Sequence, residues 1–191
     1  MCPLTLTAAL SFSLAGTLAA NLGRVPELSL VDPAGRAWPI RDPEAKAVVL
    51  VFLSTDCPVS NRYAPELARL SREWGRGVTV YGVHADPDVT PTQAARHATE
   101  YALPFPVLLD PTQRLARAAG VTQVPTAVVL SRDGTIRYRG RIDDRHTGVG
   151  KARAEPTRRD LAEAVAEVLA GKPVAVPRTA VVGCNMPPAG P

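Results

Sequence analysis

The sequence predicts an α/β domain in which a mixed central sheet is flanked by helices and closed by a C-terminal antiparallel hairpin and a last helix. Three observations point there. Residues 48–53 form a short, continuous apolar run, as expected of a strand covered on both faces, and 78–83 a second, Val-rich run that reads as a buried strand. After the first of these runs, apolar residues recur at spacings of three and four, the period of a helix with one buried side. Further on, Asp133-Gly134 joins two strand-like stretches with a tight-hairpin signal.

Taken in order, residues 28–31 and 37–40, joined by Asp32-Pro33-Ala34-Gly35, read as a short hairpin ahead of the core. The run 48–53 is the central strand. The helix after it places Val59, Tyr63, Leu67, Leu70 and Trp74 on one side, with Pro58 in its first turn. The strand 78–83 follows, and Thr90-Pro91-Thr92-Gln93 supplies an N-cap, a first-turn proline and a capping-box glutamine for a helix reaching about Tyr101. Residues 106–109 form a short strand. Asp110-Pro111 opens a helix that Gly120 closes, and Val124-Pro125 precedes the strand 126–131. The hairpin turn leads into 135–139. The last helix spans 157–169, with Thr157 and Asp160 as its cap pair, Leu161, Val165 and Val168 as its apolar face, and Gly171 at its end. This order implies a sheet that is part parallel, with a helix on each face.

A chain of 191 residues holds one well-buried domain with terminal extensions and is too short for two ordinary ones. Its apolar content of 46% and charged content of 21% are those of a globular protein, and its 19 prolines mark loops and helix starts. The net charge of +4 comes from scattered arginines with no basic block, which favours a solvated surface over a nucleic-acid site. Residues 1–20 carry no charge, and 4–20 are mostly apolar yet too short and polar for a membrane span. The small residues Thr17, Ala19 and Ala20 suit a cleavage site. Residues 1–22 therefore read as a signal peptide or a disordered start, 23–171 as the domain, and 172–191 as a Pro-rich irregular tail carrying Cys184. Export to a periplasmic or other extracytoplasmic space is favoured over the cytoplasm, with no stable membrane insertion after cleavage. Loss of Cys2 with the leader would leave Cys57 and Cys184, an even pair suited to an oxidising compartment.

The chemistry is concentrated in Thr55-Asp56-Cys57-Pro58-Val59-Ser60-Asn61-Arg62-Tyr63, which follows the central strand directly. A cysteine where a strand turns into a helix faces unpaired backbone N–H groups and a positive dipole end, and both favour the thiolate. Ser60 stands where a dithiol motif would carry its second sulfur. Any disulfide made by Cys57 therefore finds its partner elsewhere, unless the residue is a buried structural cysteine.

The element order, with a cysteine after the central strand and Val124-Pro125 before the hairpin, resembles the thioredoxin superfamily over about residues 23–171. The resemblance implies that Pro125 is cis and lies against the active cysteine. Within that superfamily, Cys57-Pro58, the segment Tyr138-Arg139-Gly140-Arg141-Ile142-Asp143-Asp144 and Gly183-Cys184 look like the peroxiredoxin-like branch of the redoxin group, the relatives of alkyl hydroperoxide reductase and thiol-specific antioxidant. The chain departs from that pattern at Leu50, where peroxiredoxins carry proline, and at Gln123, where relatives in this branch often carry cysteine. Ser54 keeps the hydroxyl three residues before the peroxidatic position.

Other side chains have two readings each. Ser54 and Ser60 either donate to the thiolate or serve as turn residues. Arg139 or Arg141, the latter our choice, either stabilises the thiolate and orients a peroxide or faces solvent. Asp143, Asp144 and His146 suit capping and turns better than catalysis. Cys184 is a candidate resolving thiol, half of a static disulfide, or a free thiol in the tail. His84, His97 and His146 lack the paired spacing of a zinc site, so no metal and no cofactor is expected. The whole reads as a monomeric thiol oxidoreductase. Cys57 attacks a peroxide or a disulfide, and Cys184 or an external thiol, such as a thioredoxin-like reductant, resolves the product. The alternative is a non-enzymatic binding module or a copper-delivery protein, although Asn61 occupies the position of the second loop cysteine used for copper.

Overall fold

The computed structural model describes residues 22–148 and 150–189. Seven strands form the main sheet: β1 (Ser29–Val31), β2 (Ala37–Pro39), β3 (Ala47–Leu53), β4 (Val78–His84), β5 (Val107–Leu109), β7 (Thr126–Ser131) and β8 (Ile136–Gly140). Their order across the sheet is β2-β1-β5-β4-β3-β7-β8. Only β3, β4 and β5 run parallel to one another; β1 pairs antiparallel with β5, β7 closes antiparallel on β3 and β8 on β7. The helices are α1 (Pro58–Arg62), α2 (Ala64–Trp74), α3 (Pro91–Glu100), α4 (Arg114–Ala119) and α5 (Asp160–Leu169).

All seven residues of β3 are buried, which explains its unbroken apolar sequence. Alternation divides them between two cores. Val48, Leu50 and Phe52 pack with Val128, Leu130 and Leu115 of α4, whereas Val49, Val51 and Leu53 pack with Leu67 and Leu70 of α2 and Leu161 and Val165 of α5. Each such side chain contributes about 1.5–3 kcal/mol by leaving water. Two of the capping signals fall where expected. Thr90 and Gln93 make the reciprocal capping box of α3, and Gly120 ends α4 in the left-handed conformation at φ 66°.

The structure corrects several expectations. The single helix expected after Cys57 is broken at Tyr63 into α1 and α2, because Pro65 has no N–H to continue the hydrogen-bond ladder. Helix α4 starts at Arg114 rather than at Asp110-Pro111. The intervening residues form a turn through Gln113 at φ 54°, and the Asp110 carboxylate instead accepts from the Ala116 N–H. Helix α5 begins at Asp160, and Thr157 is not its cap. The N–H and hydroxyl of Thr157 are both taken by the Asp144 carboxylate.

Strands absent from the sequence reading are β6 (Gln123–Val124), the β9–β10 pair (His146–Gly148 and Lys151–Ala152) and β11 (Cys184–Asn185). The segment expected to be an irregular tail therefore holds a strand. After α5 the chain returns along the outer edge of β8, where the Arg139 N–H donates to the Pro177 carbonyl and the Thr179 hydroxyl accepts from the Arg141 N–H. This covers a sheet edge that would otherwise present unpaired groups. The tail then crosses to β6, against which β11 pairs antiparallel. The expected export segment, with Cys2, lies outside the described residues except for Leu22. No helix among the described residues is long and apolar enough to cross a membrane.

Candidate functional site

Cys57 is the N-cap of α1, placed there by Pro58 at the first helical position and by the end of β3 four residues earlier. Its side chain is 1% exposed, and the thiol donates to the Val124 carbonyl at 3.7 Å. The Val124–Pro125 peptide bond is cis. Directly across from Val124, in the register of the β6–β11 ladder, stands Cys184.

The tail reaches this position because residue 183 is glycine. A Cβ there would lie 1.9 Å from the Val124 carbonyl oxygen and 3.1 Å from Cδ of Pro125, so only a residue without a side chain allows the two backbones to meet. Three bonds hold the tail's end: Met186 N–H to the Thr122 carbonyl at 3.0 Å, Gln113 Nε2 to the Pro187 carbonyl at 2.6 Å, and Gln123 Nε2 to Asn185 Oδ1 at 3.2 Å.

Cys57 and Cys184 are both free thiols, packed into the same apolar cluster and near enough for each to shift the other's acidity. Their acidities split. Burial pushes the Cys57 thiol up, but the Cys184 thiol, the N–H groups of Ser60 and Val59 and the Ser60 hydroxyl all favour its thiolate. The net result lies below the ordinary cysteine value. Burial, the hydrogen bond to Cys57 and the charge on Cys57 push Cys184 up to about 11. The proton therefore leaves Cys57 first, and Cys184 remains a thiol that donates to the resulting anion.

Around this pair, the other candidates are placed as follows. Ser60 is buried, and its hydroxyl has no partner among the described residues until it donates to a Cys57 thiolate. Ser54 Oγ accepts the Asp56 N–H at 3.3 Å and so shapes the loop. Arg141 is not brought to Cys57; its Nε donates to Asp160 Oδ2 at 2.7 Å at the start of α5. Arg139 is also elsewhere, donating to the Ala119 carbonyl at the end of α4. Asp143 accepts from the Tyr63 hydroxyl at 2.6 Å and the Arg145 N–H at 2.9 Å. Asp144 is held down to about 2, by the Thr157 hydroxyl first, then by the Arg158 and Thr157 N–H groups and the Arg153 charge. The ring of His146 packs edge-on against Tyr63.

Sequence reasoning missed the structural use of Asn61. Its Nδ2 donates to the Thr55 carbonyl at 3.0 Å and its Oδ1 meets His97 Nε2 at 2.9 Å, tying the cysteine loop to α3. His97 in turn packs edge-on against the fully buried His84, with ring centroids 4.9 Å apart. Nothing in the local sequence signals this contact, since it joins β4, α1 and α3. Among the described residues there is no group of three or more His, Cys, Asp or Glu side chains arranged to hold a metal ion.

The profile of the AhpC/TSA family matches residues 23–139. The thiol-disulfide oxidoreductase ResA of Halalkalibacterium halodurans is 31% identical over 109 residues, covering 56% of this chain and 60% of that protein. ResA of Bacillus thuringiensis strain Al Hakam is 27% identical over 112 residues, 58% of this chain and 64% of the relative. The matched stretch thus spans less than two thirds of either protein. Among solved structures, a hypothetical protein of Sinorhizobium meliloti 1021 superposes with a TM-score of 0.75 at 27% identity, covering 86% of this chain and 92% of that one. A thiol-disulfide oxidoreductase of Bacteroides fragilis NCTC 9343 has a TM-score of 0.54 at 21% identity, covers 61% of this chain and 88% of that one, and shares the thioredoxin-like fold.

Proposed function

The chain belongs to the AhpC/TSA family, within the thioredoxin superfamily, and from that premise we propose that it is a thiol-disulfide oxidoreductase working through a Cys57–Cys184 couple. The observation that carries the reading is that Cys184 pairs with Val124, whose carbonyl accepts from the Cys57 thiol, with the acidities split so that Cys57 is poised as the nucleophile. The Cys57 thiolate attacks a substrate disulfide, forming a mixed disulfide and releasing the first substrate thiolate, which takes up a proton. Cys184 then loses its proton and attacks the Cys57 sulfur. This releases the second substrate thiol and leaves a Cys57–Cys184 disulfide, so two protein thiols are oxidised as one disulfide is reduced. An external dithiol restores the reduced pair by the reverse exchange. Ser60 and the α1 N–H groups hold the thiolate, Ser54 shapes its loop, and Pro125 walls the groove under Gly183.

Peroxide is the second oxidant class. Cys57 would become a sulfenic acid and Cys184 would displace water from it, with the same disulfide as product. The pairing of Arg141 with Asp160 favours the disulfide substrate, because the guanidinium that would polarise a peroxide is engaged elsewhere. We also place the mature chain outside the cytoplasm, where a reversible disulfide between these two residues is sustained.

The test is to titrate the reduced chain with glutathione disulfide and, separately, with hydrogen peroxide, and to quantify the Cys57–Cys184 cross-linked peptide by mass spectrometry. The disulfide is expected to convert the pair stoichiometrically, Cys57→Ser to abolish conversion, and Cys184→Ser to trap a glutathione adduct on Cys57. Failure of either oxidant to cross-link the pair, with Cys57 alkylating at the rate of an ordinary thiol, would leave a binding module in place of an enzyme.

A further inference from the structure

A cavity of about 490 Å³ lies between the tail and the body of the domain, lined on the tail side by Arg178 and Thr179 and on the body side by Thr122, Gln123, Thr126 and Arg139. Its size is that of a small-ligand site. Its charge is one-sided, since two guanidinium groups line it and no carboxylate does.

The backbone places those two arginines side by side. Arg139 and Arg178 are partners in a parallel bridge, so their side chains leave the same face. Neither forms an ion pair among the described residues. The Arg139 guanidinium makes one hydrogen bond, to the Ala119 carbonyl at 2.8 Å, and lies in the space left by the absent side chain of Gly120. The exposed Arg178 side chain makes no hydrogen bond among the described residues. A guanidinium has five N–H donors, so most of those at this site are unspent. Like charges held together without a counter-ion repel, and the repulsion acts across the seam between tail and body, with Arg178 on one side and Arg139 on the other.

We propose that this cavity binds a small oxyanion, a phosphate or a carboxylate, between Arg139 and Arg178, and that the bound anion clamps the tail carrying Cys184 against the domain. Guanidinium forks match both oxyanions through paired N–H···O bonds. Because the ligand touches both sides of the seam, it binds more tightly when the tail is docked, and by linkage it holds the tail docked. The site thereby regulates how firmly Cys184 is presented to Cys57, and its existence does not depend on the redox reading, since anion binding is measured without any thiol chemistry.

The experiment uses the full reduced chain in isothermal titration calorimetry, with inorganic phosphate in one arm and glutarate in the other, at an ionic strength held constant with chloride. One site per chain is expected in at least one arm, and the stronger arm identifies the oxyanion. Arg178→Gln, which removes no internal bond, should weaken binding tenfold or more while leaving the melting temperature unchanged in chloride. The clamp is read in the Cys57→Ser chain as the rate of Cys184 alkylation, which saturating ligand should slow at least threefold, with no effect in Cys57→Ser/Arg178→Gln. Heat from neither anion, or binding indifferent to Arg178→Gln, overturns the site; binding without slower alkylation overturns the clamp.

Discussion

Cys184 is paired in antiparallel register with Val124, and it is the carbonyl of that same Val124 that accepts the hydrogen bond of the Cys57 thiol. One residue thus organises both sulfurs. Two cysteines far apart in sequence are brought together by a two-strand ladder at the end of the chain, not by a shared helix or loop.

That ladder depends on Gly183. Gly183→Ala would put a methyl group 1.9 Å from the Val124 oxygen, a contact with backbone that no rotamer can relieve. The strand must lift away, taking Cys184 with it. We expect formation of the Cys57–Cys184 disulfide to slow by about two orders of magnitude, because the reaction loses its preset geometry. The domain, whose cores lie on the main sheet, should keep its unfolding midpoint. Stopped-flow oxidation with a small disulfide, with hydrogen exchange at residues 183–186, checks both expectations. A normal closure rate would mean that the ladder does not position the thiol.

The acidity of Cys57 depends on its neighbour. Burial opposes the thiolate, and the largest effect in its favour comes from the Cys184 thiol as a donor, ahead of the backbone N–H groups. Cys184→Ala removes that donor, and a hydrogen bond to a charged group is worth about 1.5–3 kcal/mol. The midpoint of the pH profile for Cys57 alkylation should therefore rise, and its rate at pH 7 should fall by about tenfold. Cys184→Ser, which keeps a donor, should fall between the two. An unchanged profile in Cys184→Ala would show that the helix start alone sets the acidity.

The sequence predicted the fold well for a physical reason. The β3 run, the capping box of α3 and the Asp133-Gly134 turn act locally, so residues close in the chain reveal them. Cys57 was legible in the same way, since a strand end and a helix start are neighbours in sequence. The pairing of β11 with β6 was not, because two-residue strands carry no periodicity and Cys184 and Val124 lie 60 residues apart (184 minus 124). Gly183-Cys184 marked the place without giving its geometry. The pairing of Arg141 with Asp160 was not legible for a related reason: Asp160 belongs to a helix whose start the sequence places three residues too early, at 157 instead of 160.

Arg141 provides a direct contrast with the thiol pair. Asp160 has a side chain 1% exposed and meets Arg141 at 2.7 Å, with Arg158 at 3.7 Å as its other cation. Arg141→Gln should lower stability by about 1–3 kcal/mol through the weakened bond to a buried carboxylate. Cys57 alkylation at pH 7 should not change. Urea unfolding and alkylation kinetics on the same preparation separate the two effects. A large fall in alkylation at unchanged stability would return Arg141 to the catalytic site.

Acid sensitivity should come in part from His84. The side chain is fully buried at the end of β4, neither ring nitrogen has a hydrogen-bond partner of normal geometry among the described residues, and it packs against His97. Burial, then the charge of His97, pushes its pKa from 6.5 down to about 4, and burial lowers His97 as well. The sign follows from which state takes the proton. Below about pH 6.5 the unfolded chain protonates this histidine while the native chain does not, so stability is complete above that pH and declines as pH falls toward 4. Over that window a shift of this size is worth about 3 kcal/mol. His84→Phe keeps a buried ring with no proton to bind, and should lose correspondingly less stability between pH 7.5 and pH 4.5 in urea unfolding. Asp133 and Asp144, both held down to about 2, change the native balance mainly at lower pH, so they affect both proteins alike in this range. Equal losses in the two proteins would place the acid sensitivity in groups other than His84.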